Sequence, residues 1–389
     1  MGFDYHNQTK AHGQENADRG YHYHSPGQMI FNFGGTLVSH WTRGIYNEIV
    51  AIERSLNANL IEGIVRSQAA RMKNQQQRLR DAYARCREIS RRHYENFPTA
   101  SLLVPRDKRD VLAAIYAFAR AADDFADEPG DKLNMQQRPI TAGDRLAAIA
   151  GWRKQLQECF EQPPENIEHP VFLALGDSVR RYGLSFENLD NLLQAFEQDV
   201  RMNRHPNFAS LLSYSSRSAN PVGRLVLELF GYHDAALFAL SDSICTALQL
   251  ANFWQDVAVD LARDRIYLPI EDLAQFGLSV DDLKCFLAAG RPLAKESWKR
   301  LMVFEIARTS ELFECGRPLP ERVGRELRRQ LRLTWLGGAA ILEKIQAVDY
   351  DVFQRRPTLT APDFLKLYVR SWRKPPAQAG AFEAKQPVV

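Results

Sequence analysis

Two groups of carboxylates in this chain have spacings that ordinary surface charge does not need. The first is Arg120-Ala-Ala-Asp123-Asp124-Phe-Ala-Asp127-Glu128, four acids within six residues, followed at once by Pro129-Gly130. The second lies in Gln249-Leu-Ala-Asn252-Phe-Trp-Gln255-Asp256-Val-Ala-Val-Asp260-Leu-Ala-Arg-Asp264-Arg265-Ile-Tyr267, where Asn252, Asp256, Asp260 and Asp264 recur every four residues. Residues four apart on a helix are neighbours, so Asp123 repels Asp127 and Asp124 repels Glu128. At about 6 Å and an effective dielectric of about 20, each unscreened pair costs roughly 3 kcal/mol. A helix C-terminus adds partial negative charge of its own. Arg120, one turn back, offsets part of this, and a divalent cation offsets the rest. Taken alone, the first group reads more readily as a solvated helix end than as a metal site. Two such groups in one domain reverse that order. Mg²⁺ takes a few carboxylate oxygens, keeps waters and completes its shell with substrate phosphates, so the two stripes read as a cradle for a diphosphate.

Helices must position these acids. Val111, Leu112, Ile115, Tyr116, Phe118, Ala119 and Ala122 recur at helical spacing before the first group, and Leu248, Ala251, Val257 and Val259 surround the second. The pattern predicts helices over roughly 75–93, 107–128, 142–160, 169–182, 185–202, 207–230, 233–263, 279–289, 292–315 and 320–347, with prolines between them and no convincing strand pattern. The fold class is therefore all-α, one large domain over residues 72–350. Residues 1–71 read as an N-terminal extension, flexible to about 40 with a helix from Ile45 to about Arg71, and Met72 is a second candidate start. Residues 351–389 read as a C-terminal segment with a short helix and a disordered tail.

Composition excludes several classes. A net charge of +3 calls for no polyanionic partner, and basic runs such as Arg87–Arg92 and Arg325–Arg332 read as solvated helix faces, so no nucleic acid is expected. The five cysteines have neither metal-ligand nor redox spacing, which fits reduced thiols in the cytoplasm. The apolar stretches read as broken well short of the ~18 residues that span a bilayer.

These motifs resemble the squalene and phytoene synthase family of isoprenoid synthases, whose paired D-D-x-x-D-E and D-x-x-x-D signatures are matched by Asp123–Glu128 and Asp256–Asp260. The likeness runs from about Tyr94 to Pro357. It includes Tyr116-Ala-Phe-Ala-Arg120, Asp199 with Arg204, Gln249-Leu-x-Asn252, Arg265-Ile-Tyr267-Leu-Pro269, Lys344-Ile345 and Tyr350-Asp-Val-Phe-x-Arg-Arg-Pro357. It implies an isoprenoid-synthase-type helical bundle with a central cavity, and Mg²⁺ as cofactor on Asp123, Asp124, Asp127, Glu128, Asp256 and Asp260. Diphosphate binding then falls to Arg120, Asn252, Arg265, Tyr267 and Ser101, with Lys344 as a further cation. Asp123, Asp127, Asp256, Asp260 and Tyr214 would be catalytic. Phe125, Phe196, Phe230, Phe253 and Trp254 are candidate cavity walls.

Within the family, Glu95–Ser101, Arg217–Arg224 and Asn252–Asp260 are most similar to the branch that makes hydroxysqualene in bacterial hopanoid synthesis. That likeness implies ionisation of presqualene diphosphate followed by water capture. Head-to-head condensation of farnesyl diphosphate, phytoene synthesis, and a catalytically dead assembly protein are the competing readings. Ser218, Asn220 and Gln255 depart from the usual family residues. The first two put polar groups where the family is apolar or small, and the third stands where the family has an arginine beside the acidic Asp256. A substrate so apolar implies a cytoplasmic enzyme in peripheral contact with the inner membrane face and with other enzymes of squalene metabolism.

Overall fold

The computed structural model of the chain describes residues 38–92, 104–127, 140–289 and 295–373. The expected flexible extension before residue 38 and the tail after 373 lie outside these, as do Ser101 and Glu128. The chain divides into two units, Met1–Ala70 and Arg71–Val389. In the first, the described residues are helical, and Ile52, Leu60, Ile61, Ile64 and Val65 are exposed. Their helix, α1 (Val38–Arg92), is continuous, where the sequence pattern predicts two separate helices.

The second unit is built on thirteen further helices among the described residues. The first half of its core gathers the end of α1 with α2 (Arg106–Ala126), α3 (Ala142–Glu161), α4 (Pro170–Tyr182) and α5 (Phe186–Arg201). Its centre is aromatic: Trp152 packs against Phe118, Phe125 and Phe172, and its indole N–H donates to the Phe118 carbonyl at 3.2 Å. Local signals set these helices. A reciprocal Thr141–Asp144 cap starts α3, Pro170 starts α4, and Gly183 at φ +66° ends it.

The other half surrounds α8 (Ala235–Gln255). It is flanked by α6 (Phe208–Ser218), α7 (Asn220–Leu229), α12 (Lys295–Gly316) and α13 (Arg325–Ala347). Three glycines let neighbours close on α8. A Cβ on Gly223 of α7 would strike Ser241 and Cys245. One on Gly316 of α12 would lie 2.8 Å from the Leu240 carbonyl, and one on Gly338 of α13 would lie 2.7 Å from Leu248. Helix α8 is long and apolar enough to cross a bilayer by length and composition, which the expectation of broken apolar stretches missed. Here it is the central helix of a packed core, with Ile244, Ala247, Leu250, Ala251 and Trp254 buried.

Two predicted helices are broken. The 207–230 helix divides at Ala219, where Pro221 starts α7. The 233–263 helix divides at Asp256, whose φ −105° and ψ 14° separate α8 from α9 (Val257–Ala262). Three further helices, α10 (Ile270–Gln275), α11 (Val280–Ala289) and α14 (Ala361–Arg370), complete the unit.

Candidate active site

The first acidic group sits where the apolar stripe of α2 runs out. Asp123 and Asp124 occupy the last turn, and the helix stops at Ala126 because Asp127 turns to extended backbone. Arg120 reaches forward to both helical acids, at 2.8 Å to Asp123 and 2.5 Å to Asp124. Asp127 lies off the helix and pairs instead with Arg265 at 3.0 Å. That one ion pair joins the two acidic motifs across 138 residues of chain.

Backbone hydrogen bonds aim Arg265. Its N–H donates to the Asp260 carbonyl at 2.9 Å, and the next residue, Ile266, donates to the Asn203 carbonyl at 3.0 Å. The turn between α9 and this bridge passes through Asp264 at φ +57°. Asp264 consequently leaves the predicted four-residue stripe: it pairs with Arg204 and Lys284 on the exposed side. The break at Asp256 likewise makes the stripe two short pieces rather than one drifting line.

Asp256 has a partner that spacing does not predict. Arg356, one hundred residues on, binds it through two nitrogens at 2.5 and 3.0 Å. Next to it, the Gln255 side-chain amide donates to the Pro357 carbonyl at 2.5 Å. The chain between α13 and α14 is thus strapped across the second motif. Lys344, expected at the diphosphate, instead pairs with Asp363 of α14 at 2.8 Å.

The carboxylates that face inward are under electrostatic strain. Burial pushes Asp123 up to about 6, helped by the Asp127 charge and opposed by Arg120. Burial likewise pushes Asp260 up to about 7, with the Asp256 charge adding to it. Asp199 of α5 is raised to about 7 by burial, opposed by the Tyr214 hydroxyl that donates to it at 3.0 Å, and the charges of Asp123 and Asp127 reach it too. Tyr214 is itself buried, its hydroxyl held far from ionisation by desolvation and by Asp199. Tyr267 stands beside Tyr214 and stacks on Phe253 at 3.7 Å.

Beside Arg120 and Asp123 opens a cavity of about 630 Å³, within the usual range of about 300–1,000 Å³ for ligand sites. Its polar end is marked by Arg120, Asp123, Asn252 and Gln255, and its walls by Phe196, Val222, Leu248 and Ile341. Leu359, Phe364 and Leu367 line it from the C-terminal segment. Of the five expected aromatic walls, Phe196 alone lines this cavity. Phe125 belongs to the Trp152 cluster, Phe230 packs at the edge of both cores, Phe253 is taken up by Tyr267, and Trp254 is core, donating to Thr309 at 2.8 Å. Ser218 lines the cavity, and its hydroxyl has no hydrogen-bond partner among the described residues. Asn220 does not line it, since it accepts a hydrogen bond from Thr246 at 2.9 Å.

Among the described residues no three or more Asp, Glu, His or Cys side chains stand close enough to hold a metal by themselves. The donor set nonetheless suits Mg²⁺. All the candidate ligands are hard oxygens, two of them carry pKa values raised by burial and then by a neighbouring carboxylate, and Mg²⁺ is commonly held by one or two carboxylates plus substrate phosphates. Sequence reasoning attached no role to Arg356, although it stands in the Tyr350–Pro357 stretch that carries part of the resemblance. Asp199, likewise matched there, emerges as the acceptor of Tyr214.

Comparison with known proteins identifies the setting. The squalene/phytoene synthase family model matches residues 90–363. A 15-cis-phytoene synthase of Synechococcus elongatus is 28% identical over 76% of this chain and 91% of its own. A hydroxysqualene synthase of Zymomonas mobilis is 35% identical over 50% of this chain and 61% of its own. The crystal structure of squalene synthase HpnC from Alicyclobacillus acidocaldarius superposes with a TM-score of 0.62 at 39% identity, covering 70% of this chain and 95% of that one. With its helical bundle and paired acidic motifs, the chain belongs to the squalene/phytoene synthase family.

Proposed function

We propose that the protein ionises presqualene diphosphate with Mg²⁺ and captures water to release hydroxysqualene and diphosphate. The observation that carries this reading is the cavity itself: an apolar chamber with Asp123 and Arg120 at one end and an unpartnered Ser218 hydroxyl in its wall. The diphosphate head lies at Asp123, Asp127, Asp256 and Asp260, and the hydrocarbon lies along Phe196, Val222, Leu248 and Ile341. When bound, Mg²⁺ neutralises the diphosphate and makes it a better leaving group.

Arg120 and Arg265 already stand among the acids. They balance charge in the free enzyme and turn to the diphosphate as the carbon–oxygen bond breaks and its electron pair leaves with oxygen. The carbocation left behind rearranges, a water oxygen bonds to carbon, and one proton is lost. Tyr214, with its hydroxyl committed to Asp199, stays neutral and orders the polar end. Ser218 offers a hydroxyl to hold the captured water, a role that Asn220, bonded to Thr246, cannot share. The resemblance to the Zymomonas mobilis hydroxysqualene synthase supports this branch.

A second reading, condensation of two prenyl diphosphates, is favoured by the wider coverage of the phytoene synthase relative. Incubating the protein and Mg²⁺ separately with presqualene, farnesyl and geranylgeranyl diphosphates, with products identified by mass spectrometry, separates the readings. Hydroxysqualene from presqualene diphosphate is expected. Presqualene diphosphate from farnesyl diphosphate, or phytoene from the longer substrate, overturns it. Ser218→Ala should shift product from alcohol to hydrocarbon while substrate is still consumed.

A further inference from the structure

We infer that the outer face of α14 is a docking surface for an anionic lipid bilayer. Helix α14 has two unlike faces. Phe364 and Leu367 turn inward and line the cavity. Leu365, Tyr368, Val369 and Trp372 turn outward at helical spacing and are exposed by 66, 41, 60 and 64% respectively. An apolar stripe of this kind on a soluble surface marks an interaction site.

Its composition points to lipid. Tyr and Trp are the residues that settle at the level of lipid headgroups, where their rings are apolar and their polar tips stay wet. Around the stripe stand Lys366, Arg370 and Arg373, all exposed and without an ion pair among the described residues. They are suited to reach outward to anionic headgroups while their stems rest on the apolar stripe. The arrangement is fixed in advance: the Arg329 guanidinium lies between the Tyr368 and Trp372 rings, at 4.0 and 3.9 Å from their centres. At the other end a Thr360–Asp363 capping box and the Lys344–Asp363 ion pair hold the helix against α13. The helix thereby presents an apolar-and-basic face to one side and a cavity wall to the other, so a lipophilic molecule leaving the bilayer meets the chamber one helix thickness away.

The docking surface goes beyond the reaction proposed above, and its test reads no turnover, so either can fail without the other. The full chain is mixed with vesicles of phosphatidylcholine and phosphatidylglycerol, three parts to one, or of phosphatidylcholine alone, and pelleted at low and high salt. Pelleting is expected with the anionic vesicles at low salt, with loss at high salt. Leu365→Glu/Val369→Glu should weaken it about tenfold, and so should the charge reversal Lys366→Glu/Arg370→Glu, whose exposed sites leave folding untouched. Melting temperature should match that of the unaltered protein in both. Three results overturn the inference: an unaltered protein that stays in the supernatant, variants that pellet equally well, or a light-scattering mass that shows a dimer split by the Leu365/Val369 variant, which would make the occupant a second copy of the chain.

Discussion

The two halves of the domain hold their acidic groups by opposite means. In the first half the compensation is local: Arg120 lies three and four residues before the acids it pairs, on the same helix. In the second half it comes from far away, with Arg356 reaching Asp256 from beyond α13. A local pair forms whenever its helix forms, whereas a distant pair forms only when the C-terminal segment is seated. The second motif is therefore the one coupled to the rest of the fold, and the first is autonomous up to Asp127, which depends on Arg265.

If the halves differ in support yet share one diphosphate, Asp123→Asn and Asp256→Asn should be equally damaging. Each is expected to lower turnover about a thousandfold or more at saturating Mg²⁺. Full activity in either breaks the equivalence and removes that group from the metal site.

Packing sharpens the contrast. Gly338→Ala drives a methyl into Leu248 and Phe313 in the second half and should destabilise by about 1–3 kcal/mol in urea unfolding. Gly151→Ala, on α3 in the first half with nothing within 4 Å, should stabilise by about 0.5–1 kcal/mol. Equal effects would mean that the glycine seam around α8 has no role in close approach.

The distant pair is tested by Arg356→Ala. Because Arg356 is half exposed, the loss should be modest, about 1 kcal/mol without Mg²⁺, and should shrink when Mg²⁺ and pyrophosphate are added to occupy the site. A loss that ligand leaves unchanged would make Arg356 a purely structural partner.

The last effect is a slope. In the second half Asp272 and Glu305 share the single guanidinium of Arg308, and burial pushes Glu305 up to about 8. A carboxyl with a raised folded pKa gives stability that is complete below its unfolded pKa and is lost as pH rises through the folded one. The urea midpoint should fall between about pH 4.5 and pH 8, and Glu305→Gln should flatten that part of the curve. An unaltered slope would assign the pH dependence elsewhere.

Much of this was readable from residue order. Helical periodicity gives the bundle, because the apolar stripes of α2 and α8 are long and regular, and the two acidic groups stand out as a candidate site by their mutual repulsion. Breaks at Ala219 and Asp256 are not readable in the same way: periodicity runs across them unchanged, and tertiary packing decides where the backbone bends. The fate of Asp264 follows from one such bend. Arg356 and Lys344 show the other limit. Lys344 is a cation expected at the site by resemblance and Arg356 is one with no expected role, and only the fold tells that Arg356 meets Asp256 while Lys344 meets Asp363. Cavity walls are likewise shared among α2, α5, α6, α7, α8, α13 and α14, and no single stretch reveals them. Hence Trp254, beside the motif in sequence, turns into the core.

The strap from Asp351 to Thr360 also has a genetic consequence. A nonsense or frameshift lesion just before codon 356 would leave both acidic motifs, the first core half and all the helices through α13 encoded. The product would still lack the cation opposite Asp256, the carbonyl that Gln255 grips, and the helix that lines one side of the chamber. Such an allele would be expected to behave as a null for turnover, the reverse of what the short length of the missing piece suggests.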